Sequence, residues 1–259
     1  MTQFHKYVAV GNDFIIFNCW DSYFELDPAQ LRSLCDRRFG IGADGVMLLG
    51  NAKDHDFRMH YYNADGSRGE MCGNGARALT KYAFTLGNIP SSGTFLADDG
   101  PHEYHIKDDQ IEVEILVDDV LKEWDLPLPG SACINTGVPH LITVVESVDT
   151  VELDALGREM NSHAAHPEGT NLNVIERVRD KILVRTWERG VNMETLACGT
   201  GATAASIFAN QRWGKSWPII LSFKGGDLRV DFRNDRYWLS GNAELVFIGQ
   251  ITLSKIHSE

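Results

Sequence analysis

The sequence predicts an α+β protein built from two similar halves. Most of the 259-residue chain consists of short segments rich in β-branched and aromatic residues, often alternating with polar ones and bounded by Gly, Asn or Asp. This pattern is typical of strands. Only four segments have the composition of helices, and the order strand, strand, helix, strands, central helix, strands occurs twice. Such an order indicates a duplicated domain.

Eight segments carry the strand pattern most clearly. Their β-branched and aromatic side chains fit a pleated, half-buried surface, so we predict a strand at each. They are FIIFNCW (14–20), FRMHYYN (57–63), IEVEILV (111–117), HLITVV (140–145), KILVRTW (181–187), IILSFKG (219–225), LRVDF (228–232) and AELVFIG (243–249).

The two outer helices are predicted from their starts and their periodicity. The segment 27–39 opens with Asp27, a suitable N-cap, and Pro28, a residue favoured at the first helical position. The segment 151–163 has an amphipathic pattern. The two outer helices begin near Asp27 and Val151, in roughly the same relation to the two halves.

The two central helices are predicted at 76–86 and 202–213. Apolar or small residues surround most of the circumference of each segment, which is typical of a buried helix. Gly87 and Gly214 follow the two segments, and a glycine there suits a helix stop.

An internal repeat relates the two halves. EMCGNGARA (70–78) is similar to LACGTGATA (196–204), and three anchor pairs lie 126 positions apart. The pairs are Cys72 with Cys198, Gly11 with Gly137, and Asn63 with Arg189. We therefore expect halves at 1–117 and 118–246, with the boundary in the stretch 118–129.

Charge and hydropathy exclude several classes of function. The formal net charge of −12 argues against nucleic-acid binding and against an anionic membrane surface, but not against a small zwitterionic substrate. The N-terminal segment has no signal-peptide core, and the uncharged run from Thr195 to Gln211 is too rich in Gly, Ala and Thr to span a bilayer. We expect a cytoplasmic protein.

The cysteine and histidine patterns predict no metal site. No CxxC pair is present, so neither a zinc knuckle nor a thioredoxin motif is indicated. HEYH (102–105) has metal-like spacing but lies in a predicted strand or hairpin without a partner cluster. The five cysteines are Cys19, Cys35, Cys72, Cys133 and Cys198.

The glycines of GTGATA (199–204) also match part of a dinucleotide-binding fingerprint. That fingerprint follows a buried strand in a parallel βαβ unit, with an acidic residue about 20 positions further on. Here the preceding ETLA (194–197) is a poor strand, and the motif occurs in both halves. The repeat therefore argues against a nucleotide site.

A cysteine directly before a helix suggests acid–base chemistry instead. The N-terminus of a helix exposes unpaired N–H groups and carries positive potential, so it can bind a carboxylate and stabilise a thiolate. Each half supplies one such cysteine, Cys72 or Cys198. Two thiols on opposite faces of one α-carbon suit stereo-inversion, in which one removes a proton and the other donates one.

These residues lie in motifs that resemble the diaminopimelate epimerase family, the pyridoxal-independent enzymes of bacterial lysine and cell-wall synthesis. The resemblance covers nearly the whole chain, and its combination of motifs is far more specific than any single one. The motifs are GNDF (11–14), RRFGIGADGV (37–46), NADGS (63–67), CGNGAR (72–77), GVPH (137–140), EGTNLN (168–173), ERGVNMETLACGTGA (188–202) and SGNAELVF (240–247).

The resemblance implies two similar domains, each a mixed sheet wrapped around a central helix. It places a C-terminal strand, at about 247–259, back in the first domain. It implies interconversion of LL- and meso-diaminopimelate with no cofactor and no metal. Members of the family often form pairs, so a homodimer is expected.

The resemblance also implies a set of site residues. Cys72 and Cys198 would be the acid/base pair. The reacting carboxylate and amine region would be held by Gly73, Asn74, Gly199 and Thr200. Asn12, Asn63, Asn171, Glu188 and Arg189 would orient the substrate, and His140 and Glu188 would lie near the reacting centre.

Structural roles for some of these residues stay open. The three asparagines are also suited to turns, and Glu188 with Arg189 could form an exposed ion pair. One position departs from the family pattern, because Val138 replaces the asparagine of the usual GNPH. A lost hydrogen bond to a charged ligand costs about 1.5–3 kcal/mol, so we expect altered affinity or substrate range.

Two further classes of function stay open. The first is another amino-acid racemase of the same fold, acting on proline, hydroxyproline or histidine; proline-type enzymes typically have CGHG where this chain has CGNG (72–75). Phenazine-synthesis-like relatives share the fold but lack the paired cysteines. The second class is a non-catalytic amino-acid-binding protein or a thiol-redox protein, which would cycle the cysteines through a disulfide.

Overall fold

A computed structural model describes residues 1–253 apart from 70, 109, 118, 123–127 and 129. The described chain divides into two compact units, one formed by residues 1–113 with the segment from Gly241 onward, the other by residues 114–240. The predicted boundary at 118–129 falls largely outside the described residues. The same holds for 254–259 of the predicted returning strand.

Strands dominate both units. The elements before residue 117 are β1 (Thr2–Ala9), β2 (Asn12–Cys19), α1 (Pro28–Cys35), β3 (Gly45–Gly50), β4 (Phe57–Asn63), β5 (Arg68–Gly69), α2 (Gly73–Thr85), β6 (Ser92–Leu96), β7 (Pro101–Lys107) and β8 (Gln110–Ile115). Those after it are β9 (Asp119–Lys122), β10 (Ala132–Asn135), β11 (Pro139–Val144), a 3-10 turn (Val148–Thr150), α3 (Leu153–Asn161), β12 (Asn171–Val178), β13 (Lys181–Glu188), β14 (Met193–Thr195), α4 (Gly199–Trp213), β15 (Ile219–Phe223), β16 (Gly226–Arg233), β17 (Arg236–Gly241) and β18 (Glu244–Ile251).

The first unit has a mixed sheet. Strand β1 pairs antiparallel with β2 and with β18. Strands β2 and β3 are parallel, and α1 forms the crossover between them. Strand β4 pairs antiparallel with β3 and β5 and parallel with β6, and α2 lies in that second crossover. The hairpins β6–β7 and β7–β8 complete the unit.

The second unit repeats this topology. Strand β10 pairs antiparallel with β9 and β11, and β11 is parallel to β12 across α3. Strand β13 pairs antiparallel with β12 and β14 and parallel with β15 across α4. Strands β15, β16 and β17 form an antiparallel meander. The two units therefore share one sequence of parallel and antiparallel pairs.

Strands β9 and β18 each follow the last hairpin of one unit in the chain but belong to the other unit. Strand β9 follows β8 in the chain but pairs with β10, and β18 follows β17 but pairs with β1. In the first unit, β1 is therefore paired with a strand from near the end of the chain, whereas in the second unit β9 lies shortly before its partner β10.

The central helices begin three residues earlier than the sequence predicts, at Gly73 and Gly199. Glycine has a low helix propensity, so the CGxG motifs predict a loop. Tertiary packing overrides that propensity. Helix α2 packs against β1 to β4, and α4 packs against β10, β11, β12, β15 and β16. The predicted stops hold, because Gly87 and Gly214 both have positive φ, 75° and 61°.

The outer helices are shorter than predicted. In α1, Asp27 and Gln30 form a capping box, and the helix ends at Cys35 because the Asp36 carboxylate accepts N–H bonds from the following turn. In α3, Gly157 lets the helix approach the buried Trp187 ring closely, since a Cβ there would overlap that ring. Among the described residues, no helix is both long and apolar enough to cross a membrane.

Candidate active site

Both repeat cysteines are N-cap residues of the central helices. Cys72 precedes α2 with φ −134°, and Cys198 precedes α4 with φ −125°, so both have extended backbone. Neither helix has an acidic residue in its first turn. Both cysteines are thiols rather than disulfides. Each sulfur therefore lies at the positive end of a helix, which favours the thiolate.

The side chain of Cys198 makes hydrogen bonds within its own helix. The side chain is 6% exposed, and the Gly201 N–H donates to Sγ at 3.4 Å. The Thr200 hydroxyl lies 3.4 Å from the same sulfur. A Cβ at Gly201 would overlap the Asn173 side chain and press on Cys198. The second glycine of CGTG is therefore required by packing beneath the thiol.

A polar chain links Thr200 to buried residues of the same unit. His140 Nε2 lies 3.0 Å from Thr200 Oγ1, and His140 Nδ1 lies 3.0 Å from Asn173 Nδ2. The Thr186 hydroxyl donates to Asn173 Oδ1 at 2.8 Å. His140 has no exposed surface. Burial, with a smaller effect of the Arg189 charge, lowers the pKa of His140 to about 3, so its imidazole is neutral near pH 7.

Cys72 has a different environment. Arg77, one turn further along α2, is fully buried and donates to Gly73 O at 3.1 Å and to Asn74 Oδ1 at 2.8 Å. Asn74 in turn donates to Asn12 Oδ1. Burial lowers the pKa of Arg77 to about 10, while the charge of an ionised Cys72 raises it. The guanidinium therefore stays positive near neutral pH.

Charged residues fix the turn that carries Asn12. Its amide donates to Asp44 Oδ2 at 3.0 Å. Arg37 bridges Asp13 and Asp44, and the buried Lys6 lies 2.7 Å from Asp13. Burial alone raises the pKa of Asp13, but its hydrogen bonds and charge contacts with Arg37 and Lys6 outweigh this and lower it to about 2. The motifs GNDF (11–14) and RRFGIGADGV (37–46) thus form one network.

The remaining candidates lie at strand ends. Asn63 ends β4, and its amide donates to Ser67 Oγ at 3.0 Å, a residue outside the candidate set. Asn171 begins β12 beside His140 in the parallel register with β11. Its Oδ1 accepts the Arg189 backbone N–H at 2.9 Å.

Glu188 and Arg189 do not bond to each other in the described contacts. The Glu188 carboxylate accepts from Thr195 Oγ1 at 2.6 Å, which ties β13 to the strand leading to Cys198. The Arg189 guanidinium donates to Glu168 O at 2.6 Å. An open surface pocket beside Arg189 is also lined by Glu168 and Gly190.

Val138 occupies the position that Asn12 has in the other repeat, since the two lie 126 positions apart. Asn12 uses both ends of its amide, toward Asp44 and Asn74. A valine side chain has neither a donor nor an acceptor. At Val138 only the backbone takes part, with its carbonyl accepting the Thr136 N–H at 3.1 Å.

The same spacing identifies functional residues that the motifs did not indicate. Phe14 and Met47 of the first unit correspond to His140 and Asn173 of the second, and Arg77 corresponds to Thr203. Met47 packs under Gly75 as Asn173 packs under Gly201. Differences between aligned repeats would have identified Arg77 and Asn173, because chemistry that is not shared points to a special role.

The described residues offer no group of three His, Cys, Asp or Glu side chains arranged to hold a metal ion. In HEYH (102–105), the first histidine is buried and its Nε2 lies 3.0 Å from Asp99.

Comparisons with known proteins agree with this architecture. The family model described as diaminopimelate epimerase matches residues 4–121 and 132–246. The diaminopimelate epimerase of Flavobacterium psychrophilum is 37% identical over 95% of this chain and 98% of that protein.

Two solved structures show the fold. A phenazine biosynthesis protein of the PhzF family from Bacillus anthracis has a TM-score of 0.74 at 14% identity, covering 97% of this chain and 99% of that one. A probable proline racemase from Agrobacterium radiobacter, with bound carbonate, has a TM-score of 0.73 at 14% identity, covering 98% and 93%. The predicted α+β fold class is confirmed. By its sequence, the chain belongs to the diaminopimelate epimerase family.

Proposed function

We propose that this protein interconverts LL- and meso-diaminopimelate by a two-base mechanism with Cys72 and Cys198 as the acid/base pair. One observation carries the proposal. Equivalent positions of two units with the same topology each place a thiol at the N-cap of a buried helix that has no acidic first-turn residue.

In the proposed reaction, one sulfur begins as thiolate and the other as thiol. The thiolate takes the α-proton, and the electron pair of the broken C–H bond is delocalised into the α-carboxylate. The opposite thiol then donates its proton to the other face of the same carbon. The two sulfurs end with exchanged protonation states, so the reverse reaction is chemically equivalent. Both sulfurs must reach one α-carbon.

The weakly acidic α-proton requires stabilisation of the developing charge. Fixed N–H donors aimed at the carboxylate can supply several kcal/mol of that stabilisation. We assign this role to the first turns of α2 and α4, through Gly73, Asn74, Gly199 and Thr200.

The distal end of the substrate needs polar partners of its own, because it carries a second amino group and a second carboxylate. Arginine binds a carboxylate with two parallel hydrogen bonds. We therefore assign the distal carboxylate to Arg189, with orientation supplied by Asn12, Asn63, Asn171 and Glu188. His140 supports Cys198 through Thr200, given the hydrogen bonds between them.

The test is incubation with LL-diaminopimelate in heavy water. The expected result is conversion to the meso form with deuterium at one α-carbon, and loss of inversion in both Cys72→Ala and Cys198→Ala. Cys133→Ala, at a buried cysteine of β10, is the control and should retain turnover. Undiminished inversion in either active-site variant would overturn the mechanism.

The same assay separates the alternatives. A racemase of the proline or hydroxyproline type would invert those amino acids and leave diaminopimelate unchanged. A thiol-redox protein would show a reversible Cys72–Cys198 disulfide and no isotope exchange. In the epimerase such a disulfide is inactive, because neither sulfur could carry a proton.

We further propose that the two units are duplicated halves of one chain. Two copies of this chain then form a homodimeric cytoplasmic enzyme. The requirement for two reduced thiols fits a reducing compartment. Four consecutive apolar residues of β18 are between 45% and 56% exposed, which is typical of a strand covered by a partner. They are Leu245, Val246, Phe247 and Ile248.

A further inference from the structure

The buried chain behind Cys198 has a definite direction. Each hydrogen bond needs one donor and one acceptor, so fixing one member fixes its neighbours. The chain runs from Thr186 through Asn173 and His140 to Thr200 and Cys198. The direction decides whether the Thr200 hydrogen faces the histidine or the sulfur.

The direction begins at Thr186. Its hydroxyl donates to Asn173 Oδ1 at 2.8 Å, which leaves the Asn173 NH₂ group facing His140 Nδ1 at 3.0 Å. An amide NH₂ can only donate. His140 Nδ1 must therefore accept, and the proton of the neutral ring is on Nε2.

The remaining bonds follow from this tautomer. Nε2–H donates to Thr200 Oγ1 at 3.0 Å and occupies an acceptor site of that hydroxyl. The Thr200 hydrogen is then directed at Cys198 Sγ, 3.4 Å away. Together with the Gly201 N–H, also at 3.4 Å, the sulfur faces two donors. Hydrogen bonds to the charged form favour that form.

The first unit has no such chain behind Cys72 in the described residues. The positions equivalent to His140 and Asn173 are Phe14 and Met47, which are apolar and buried. The two thiolates are thus supported by different means, a directed chain of neutral groups behind Cys198 and the Arg77 cation near Cys72.

We propose that Asn173, held by Thr186, is a positioning residue that fixes the Nε2–H tautomer of His140 and thereby directs the Thr200 hydroxyl hydrogen at Cys198. This rests on the proposed function for its consequence in catalysis. Without Asn173 in this orientation, Thr200 could donate to His140 instead, and the thiolate would lose one of its two donors.

The decisive variant is Asn173→Asp, which has nearly the same shape. A carboxylate can only accept, so His140 Nδ1 must become protonated; carboxylates hold histidine in this opposite tautomer in hydrolytic triads. A long-range ¹H–¹⁵N spectrum of ¹⁵N-histidine protein reads the tautomer. We expect an unprotonated Nδ1 in the wild type and a protonated Nδ1 in the variant.

The consequence is measured at Cys198. The pH profile of iodoacetamide alkylation, followed peptide by peptide by mass spectrometry, gives the midpoint for each cysteine. In Asn173→Asp, over the pH range where His140 is neutral, the Cys198 midpoint should rise by about 1–2 pH units. Arg189, the charged residue that acts on His140, is unchanged. The Cys72 midpoint in the same sample is the internal control.

Two further variants separate the effect of the tautomer from the effect of an added charge. Thr186→Val releases the Asn173 amide without adding charge, and should populate the Nδ1–H tautomer and raise the Cys198 midpoint by a smaller amount. Asn210→Asp adds a carboxylate near the far end of α4 and should change neither readout.

A wild-type His140 protonated at Nδ1, or an unchanged Cys198 midpoint in both Asn173→Asp and Thr186→Val, would overturn the proposal. Neither measurement uses substrate, so a protein that fails to invert diaminopimelate would count only against the proposed function.

Discussion

The buried guanidinium of Arg77 donates a hydrogen bond of 2.8 Å to Asn74 Oδ1 in the first turn of α2. This places a cation at the positive end of a helix, where it is unfavourable unless an anion is close. The first turn contains no acidic residue. The charge of an ionised Cys72 raises the pKa of Arg77, and by reciprocity Arg77 favours the Cys72 thiolate.

We therefore expect Arg77→Met to raise the pH at which Cys72 becomes ionised. An opposite charge within a few ångströms shifts a pKa by about 1–3 units, so the midpoint of Cys72 alkylation should rise by about that amount. Methionine retains much of the side-chain volume, and a Cys72 thiolate that takes up a proton leaves no uncompensated buried charge. Cys198, whose helix has Thr203 at the equivalent position, is the internal control. Equal shifts at both cysteines would contradict this role.

The depressed pKa of His140 should appear in the pH dependence of stability. With a folded pKa of about 3 against an ordinary 6.5, the unfolded chain binds a proton between these values and the folded chain does not. The stability is complete above about pH 6.5 and is lost as the pH falls toward 3. In His140→Gln, the slope of unfolding free energy in this window should decrease by up to about 1.4 kcal/mol per pH unit, as urea titrations would measure. Parallel curves for the two proteins would argue against a buried neutral histidine.

Asp13 should be essential for the stability of the first unit. Asp13→Asn removes the carboxylate from the buried Lys6, and an uncompensated buried charge costs about 3–5 kcal/mol. Because the pKa of Asp13 is lowered to about 2, its contribution is present above about pH 4 and lost as the pH falls through 2. Urea denaturation at neutral pH measures the loss. The control is Asp21→Asn at an exposed carboxylate, and equal stability of the two variants would refute the assignment.

Val138→Asn should improve substrate binding. It supplies the amide that Asn12 provides at the equivalent position of the first unit, and a hydrogen bond to a charged ligand is worth about 1.5–3 kcal/mol. We expect KM for diaminopimelate to fall by about tenfold or more with a smaller change in kcat, measured by steady-state kinetics. Val144→Asn, at an exposed valine of β11, the strand that follows Val138, should leave KM unchanged. A KM that does not respond to Val138→Asn would place the residue outside the binding site.

The exposed face of β18 should control assembly. Phe247 is 45% exposed and packs edge-on against Phe4. Phe247→Glu places a charge in the apolar row, so sedimentation velocity should show a shift from dimer toward monomer at micromolar concentration. Val178→Glu, at an exposed apolar residue outside β18, is the matched control and should leave the association unchanged. A wild-type protein that sediments as a monomer would refute the homodimer directly.

Local sequence signals predicted several elements closely and missed others. The stretch 57–63 is a strand with the predicted bounds, and Asp27 caps α1 as expected. The strand β3 (Gly45–Gly50) was missed because it begins inside the motif RRFGIGADGV (37–46), which predicts a loop, and because it is buried on both faces and shows no alternation. Strand β9 was missed because it has only four residues, too few to show a clear strand pattern in the sequence.

The sequence by itself determined the duplication, the strand-rich fold class, the family and the two cysteines that precede helices rich in small residues. Each of these follows from local composition or from the 126-residue spacing. The tertiary structure decided what surrounds each sulfur. Arg77 reaches back along its helix, and Asn173 comes from a strand 25 positions before Cys198. Contacts of this kind depend on which side chains the fold packs together, and no local pattern of residues specifies them.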